Sequence, residues 1–245
     1  MADALFALGS GLHWSPQSAP RGEFVVVQDR VETPGAFLVH HFLALFLKAG
    51  HRVCFLNFTQ SKEHYAAVGR KLGVNFTSSI EKKTLRVIDC FNDAPIESLA
   101  SLFQQIREEI DGVTEPVSII LDDLSTLKWQ FGRQQLVHFL RCCRTLTNPT
   151  QTNANVVILS HADSESSSQP QSTESLSPFL GEISSVLLQV APLPSGYFKD
   201  VHGTITVQRQ CLGANGIYDA STMSFKVLEN TIKCFATGGD ALRSL

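Results

Sequence analysis

The sequence predicts an α/β fold with a central, mostly parallel sheet, flanking helices and antiparallel C-terminal strands. Three observations predict it. Five short apolar runs recur between helix-patterned segments, the rhythm of βαβ units. Those runs do not alternate polar with apolar, as expected of parallel strands buried on both faces. After residue 184 strand-like runs follow one another with no helical pattern between them.

The elements follow in order. Glu23–Gln28 (EFVVVQ) reads as a buried strand, and Gly35–Lys48 as a helix closed by Ala49-Gly50. Arg52–Phe58 is a second strand, and Lys62–Leu72 a helix stopped by Gly73. Leu85–Phe91 is a third strand. Asp93 is placed to cap the next helix, with Pro95 in its first turn. Ile96, Leu99, Phe103, Ile106 and Ile110 mark one helical face, which Asp111-Gly112 ends. Val117–Asp122 (VSIILD) is a fourth strand, Phe131–Leu146 a helix with Leu136, Phe139, Leu140 and Cys143 inward, and Asn155–Ser160 a fifth strand. Asp163–Ser177 is rich in Ser, Gln and Glu, and reads as a long polar loop. Ser185–Ala191, Thr204–Gln210, Met223–Leu228 and Thr231–Ala236 complete the chain as strands. The expectation is one domain over 1–245: a parallel core at about 23–161, the loop at about 162–178, and C-terminal strands at about 184–236.

Composition narrows the function. The 245 residues carry 20 Lys and Arg against 23 Asp and Glu, with 43% hydrophobic residues. That is too apolar and too weakly charged for a disordered chain. A pI of about 6.2 gives no global basic field for binding nucleic acid unaided. An average domain of this length carries about 18 more charges. Two sources compete for the deficit: substitution by the 62 Ser, Thr, Asn and Gln, or surface hidden against partners. No apolar stretch reaches the roughly 20 residues of a membrane span, since His40 and His41 interrupt the longest near the N-terminus. No secretory signal is visible. The six cysteines show no Cys-x-x-Cys, and the eight histidines no metal spacing, so neither a metal nor a disulfide framework is expected. A reducing compartment fits best, and the cytoplasm is expected, with the nucleus open.

In a doubly wound sheet, ligands bind beyond the carboxyl ends of the strands. The first strand-to-helix turn runs from Gln28 to Phe37 (QDRVETPGAF). It holds one glycine, no lysine, and the acidic Asp29 and Glu32. A phosphate loop needs converging backbone N–H groups, a lysine and a hydroxyl for Mg²⁺. The fourth strand ends in Asp122-Asp123, where a P-loop enzyme holds Mg²⁺. The alternative is a carboxylate that caps nearby backbone.

These residues resemble a RecA-like, P-loop-type ATPase domain of the KaiC kind. That family's fourth strand runs into Asp-x-Leu-Ser/Thr-x-Leu, matched by Asp122-Asp123-Leu124-Ser125-Thr126-Leu127. Its first helix, Leu-Ala-x-Gln-Phe-Leu, aligns with Leu38–Leu43. The register puts Gly35 at the phosphate-binding lysine and Ala36 at the Mg²⁺ hydroxyl. The second strand is followed by Thr59-Gln60-Ser61 where the family has catalytic glutamates. The resemblance therefore implies a pseudo-ATPase with a vestigial nucleotide site at Gly35, Ala36, Thr59, Gln60 and Asp122. It implies no cofactor and no catalysis, since nothing remains to position a nucleophile or stabilise its charge.

Gly35–Leu43, His64-Tyr65, Val68–Val74 and Asp200-Val201-His202-Gly203 narrow the resemblance to the family of sixth subunits of the Elongator complex. It implies a structural subunit in a hexameric RecA-like ring with the paralogous fourth and fifth subunits. That ring binds tRNA and supports modification of its wobble uridine (U34). In such rings the loops after the fourth and fifth strands face the channel. The first is Ser125–Arg133, whose Lys128, Trp129 and Arg133 suit single-stranded RNA. The alternative is a helix-entry loop with Trp129 packed inward. The second holds Asp163, Glu165 and Glu174 and no cation, which counts against RNA contact there. Arg141 and Arg144 are expected on the outer face of their helix, and one of His40 and His41 toward the core. An active RecA-like ATPase and a RecA-like paralogue in a DNA-recombination complex are the competing readings.

Overall fold

The computed structural model describes residues 7–8, 12–92, 96–150, 152–162, 175–193, 196, 198–210, 218–228 and 231–236. Nine strands form one sheet in the order β11-β10-β9-β8-β3-β7-β6-β4-β5. The parallel part comprises β3 (Phe24–Asp29), β4 (Arg52–Asn57), β5 (Leu85–Asp89), β6 (Val117–Leu121), β7 (Asn155–His161) and β8 (Val186–Ala191). The antiparallel part adds β9 (Gly203–Gln210), β10 (Tyr218–Val227) and β11 (Ile232–Ala236). A small separate hairpin joins β1 (Ala7–Leu8) to β2 (Leu12–His13). This is the architecture expected of a RecA-like fold.

Alternation along each parallel strand feeds two apolar layers. Val25 and Val27 face α1 (Ala36–Lys48), α2 (Lys62–Lys71) and α3 (Phe76–Glu81). Phe24 and Val26 face α4 (Leu99–Ile110), α5 (Ser125–Thr145) and α6 (Ser177–Ile183). Both faces are buried, so the strands need no polar side, and this is why they read as unbroken apolar runs. Gly50 and Gly73 take the left-handed conformation after α1 and α2, as expected for glycine stops.

Several boundaries differ from the sequence reading. The third strand stops at Asp89, because the Asp89 carboxylate accepts N–H bonds from Phe91 and Asn92 and turns the chain. Asp93 and Pro95 lie outside the described residues; the next helix starts at Leu99, with the Ser98 hydroxyl accepting from the Ser101 N–H. Ile96 precedes this helix rather than lying on its face. The segment Ser125–Arg133 is not a loop. It is the first part of α5, broken by Gly132 at φ 75°. That break interrupts the apolar period and moves the apparent helix start to Phe131. Most of the polar stretch 163–177 lies outside the described residues, as does Cys211, and its end forms the start of α6. Strand β10 extends back to Tyr218. Among the described residues no helix is long and apolar enough to cross a membrane.

Candidate functional site

The carboxyl ends of β3, β4, β6 and β7 meet where a nucleotide would bind in this architecture. Asp29 ends β3 and is buried. Its Oδ2 accepts from the Gly35 N–H at 2.6 Å, at the start of α1. A carboxylate thus occupies the positive end of the helix dipole, the position that favours an anion. Its Oδ1 lies 2.5 Å from His161 Nδ1, at the end of β7. His161 Nε2 lies 3.3 Å from Asp123 Oδ1, which also accepts from the Ser125 hydroxyl. Each ring nitrogen meets a carboxylate oxygen. The three groups tie together the ends of β3, β6 and β7.

The turn between β3 and α1 is folded on itself. The Thr33 N–H donates to the Arg30 carbonyl, leaving Val31 exposed at the tip. A Cβ on Gly35 would lie 3.0 Å from Asp29 Cβ and 3.2 Å from Val27 Cγ1. A longer side chain has no room there without displacing the packed turn. Behind the turn, a Cβ on Gly203 would lie 2.5 Å from the Ala191 carbonyl and 2.9 Å from Thr33 Cγ2. The C-terminal strands therefore press on this turn from below. Ala36 is exposed and opens α1.

Asp122 is 2% exposed and accepts four hydrogen bonds. The donors are Phe58 N–H at 2.7 Å, Thr59 N–H at 3.3 Å, Thr59 Oγ1 at 2.8 Å and Tyr65 Oη at 2.5 Å. Burial raises its carboxyl above the ordinary range, while these four donors oppose the shift. Burial first, and the Asp122 charge second, push the Tyr65 phenol up, so it stays a neutral donor. Thr59, at the position of a family glutamate, therefore serves to anchor Asp122. Gln60 is exposed, and its carbonyl accepts from Asn57 Nδ2, which also reaches Asp89 Oδ1 at 3.0 Å. The capping alternative describes Asp122 here: its oxygens hold the β4–α2 connection. Asp29, Asp123, His161 and Tyr65 were not singled out as a binding network from the sequence. The one available signal was acidic residues ending two apolar strands.

The second candidate region is the start of α5. Trp129 is 89% exposed, which overturns the inward-packed alternative. Lys128 is half-buried beside it. Arg133 Nε donates to the Ser175 carbonyl at 3.1 Å. Arg144 is not simply solvated; it donates to the Ile183 carbonyl and to Thr147 Oγ1, tying α5 to the end of α6. Arg141 lies over the Phe179 ring. His40 and His41 are both half-buried rather than divided between core and solvent. Asp163, Glu165 and Glu174 lie outside the described residues.

A family model described as Elongation complex protein 6 matches residues 6–95 and 88–229. The chain belongs to this family. Elongator complex protein 6 of Danio rerio is 31% identical over 258 residues, covering 94% of this chain and 96% of the relative. That of Homo sapiens is 29% identical over 261 residues, with the same coverage. That of Drosophila melanogaster is 27% identical over 237 residues, covering 88% of this chain and 90% of the relative. Similarity to Elongator complex protein 6 thus runs through both the nucleotide-like site and the C-terminal strands that seal it.

Proposed function

We propose that this protein is a non-catalytic structural subunit of the Elongator complex. It folds as one RecA-like domain and joins paralogous fourth and fifth subunits in a hetero-hexameric ring. The ring binds tRNA and supports wobble-uridine modification in the cytoplasm. One observation carries the non-catalytic part: the groups that would hold Mg²⁺ and phosphate are engaged by the chain itself. Asp122 has its oxygens filled by Phe58, Thr59 and Tyr65, and the Gly35 amide is filled by Asp29. With glycine at position 35 instead of a lysine, and Thr59 and Gln60 where the family has glutamates, phosphoryl transfer lacks both charge neutralisation and a base.

Within the ring, Trp129 and Lys128 form the RNA-facing element, by base stacking and phosphate pairing. Stacking on an aromatic side chain contributes about 1–3 kcal/mol per base. Purification of the tagged full chain from cells tests the assembly. Recovery of the paralogous RecA-like subunits is expected, and their absence overturns the reading. In the recovered assembly, Trp129→Ala weakens tRNA binding by at least fivefold; unchanged binding removes Trp129 from the interface.

A further inference from the structure

Helix α5 carries two apolar stripes that do not share a phase. After Gly132 the buried residues are Leu136, Phe139, Leu140 and Cys143. Before it they are Leu124 and Leu127, with Phe131 packed against the same core cluster. In an unbroken helix Trp129 would precede Leu136 by about two full turns, and so would face the core. Leu127 would precede Leu136 by about two and a half turns, and so would face away. The structure has the reverse: Leu127 is 0% exposed and Trp129 is 89% exposed.

The exchange is made at Gly132. Its φ of 75° and ψ of 166° lie far from helical values, in a region open essentially to glycine alone. A Cβ there would meet nothing within 4 Å beyond its local backbone. Glycine is therefore required by the backbone angles and not by crowding. The break is braced on both sides: Gln130 Nε2 donates to the Ile96 carbonyl at 2.8 Å, and Arg133 Nε to the Ser175 carbonyl at 3.1 Å. The segment before Gly132 thus keeps its own phase, with Leu127 as its anchor in the core.

We propose that Gly132 is a positioning residue for RNA contact. Its break rotates the start of α5 by nearly half a turn, which buries Leu127 and turns the Trp129 ring out to the ligand. Without the break the same sequence would hide that ring beside Leu136. This inference rests on the reading of Trp129 as an RNA-facing side chain.

The test uses the assembly recovered with the tagged full chain, and a fluorescein-labelled tRNA transcript. Gly132→Ala leaves Trp129 in place but favours a continuous helix. Binding is expected to weaken at least fivefold, as with Trp129→Ala. The double variant binds within twofold of Trp129→Ala, because both changes remove one contact. In the purified chain, Trp129 emission is taken as the difference from a matched Trp129→Phe variant. Gly132→Ala makes it at least twofold less accessible to acrylamide, whereas mere loosening of the fold would not lower it. Where Gly132→Ala does not assemble, Gly132→Asn replaces it, since asparagine tolerates positive φ better than alanine; at least a twofold loss in both measurements is then expected. Full tRNA binding by the Gly132 variant beside a loss with Trp129→Ala overturns this inference alone, as does unchanged or increased quenching of Trp129. Unchanged binding with Trp129→Ala overturns the RNA reading and this inference together.

Discussion

Replacing Asp122 by alanine tests whether this carboxylate is a structural acceptor rather than a resting metal ligand. The substitution strands the Phe58 amide and the Tyr65 hydroxyl in a buried site. Each stranded donor costs about 1–3 kcal/mol. The Thr59 groups sit at the exposed side and recover water. Relief of the carboxylate's own desolvation offsets part of the loss, which leaves about 3 kcal/mol. At this chain length that lowers the melting temperature by about 6–12 °C. Guanidinium unfolding of the purified chain measures it directly. Tyr65→Phe removes one bond while keeping the ring against Phe55, and costs about 1–2 kcal/mol. The double variant is less destabilised than the sum of the singles by at least 1 kcal/mol, because both act on one bond. A loss below 1 kcal/mol for Asp122→Ala, or strict additivity with Tyr65→Phe, refutes the structural role.

Other consequences are equally measurable. Gly203→Ala forces a Cβ to within 2.5 Å of the Ala191 carbonyl, a backbone atom that cannot step aside; about 2–3 kcal/mol is lost in chemical unfolding. His40, His41 and His51 are each lowered to about 4, chiefly by burial, with His64, His40 and Arg21 as the respective leading charge contributions. Their unfolded value is near 6.5, so the unfolded chain takes up protons that the folded chain refuses. Stability is therefore full above pH 6.5 and falls as pH drops toward 4, by about 1 kcal/mol or more per histidine; a flat unfolding midpoint from pH 7 to 5 contradicts this. Trp129→Ala changes stability by less than about 0.5 kcal/mol, as expected of an exposed side chain, and a larger loss in thermal unfolding would show that the ring is packed.

The parallel core was legible because burial on both faces leaves one signature, an apolar run, and Val25–Val27 and Val117–Leu121 carry it plainly. Antiparallel β9 was equally readable from Ile205 and Val207 alternating with Thr204, Thr206 and Gln208. Helix α3 was missed since six residues span less than two turns and leave no period, although Asn75 stood ready to cap it. The start of α5 was hidden by Gly132 and by the exposed Trp129. At the site, Asp122 was picked out by its place after a strand. Its donors Phe58 and Tyr65 were not, because they come from the β4–α2 connection and from α2, which only the strand order brings beside β6. The pairing of Asp29 with His161, 132 residues away, has the same cause. Asp29, legible only as one of two acids in a turn without lysine, fills the anion position itself.

The central claim is that the nucleotide site is closed by the chain's own groups. Equilibrium titration of the purified chain with a fluorescent ATP analogue and Mg²⁺ tests this most directly. The account predicts no saturable binding at millimolar nucleotide and no phosphate release. Saturable binding in the micromolar range, with turnover abolished by Asp122→Ala, would contradict it.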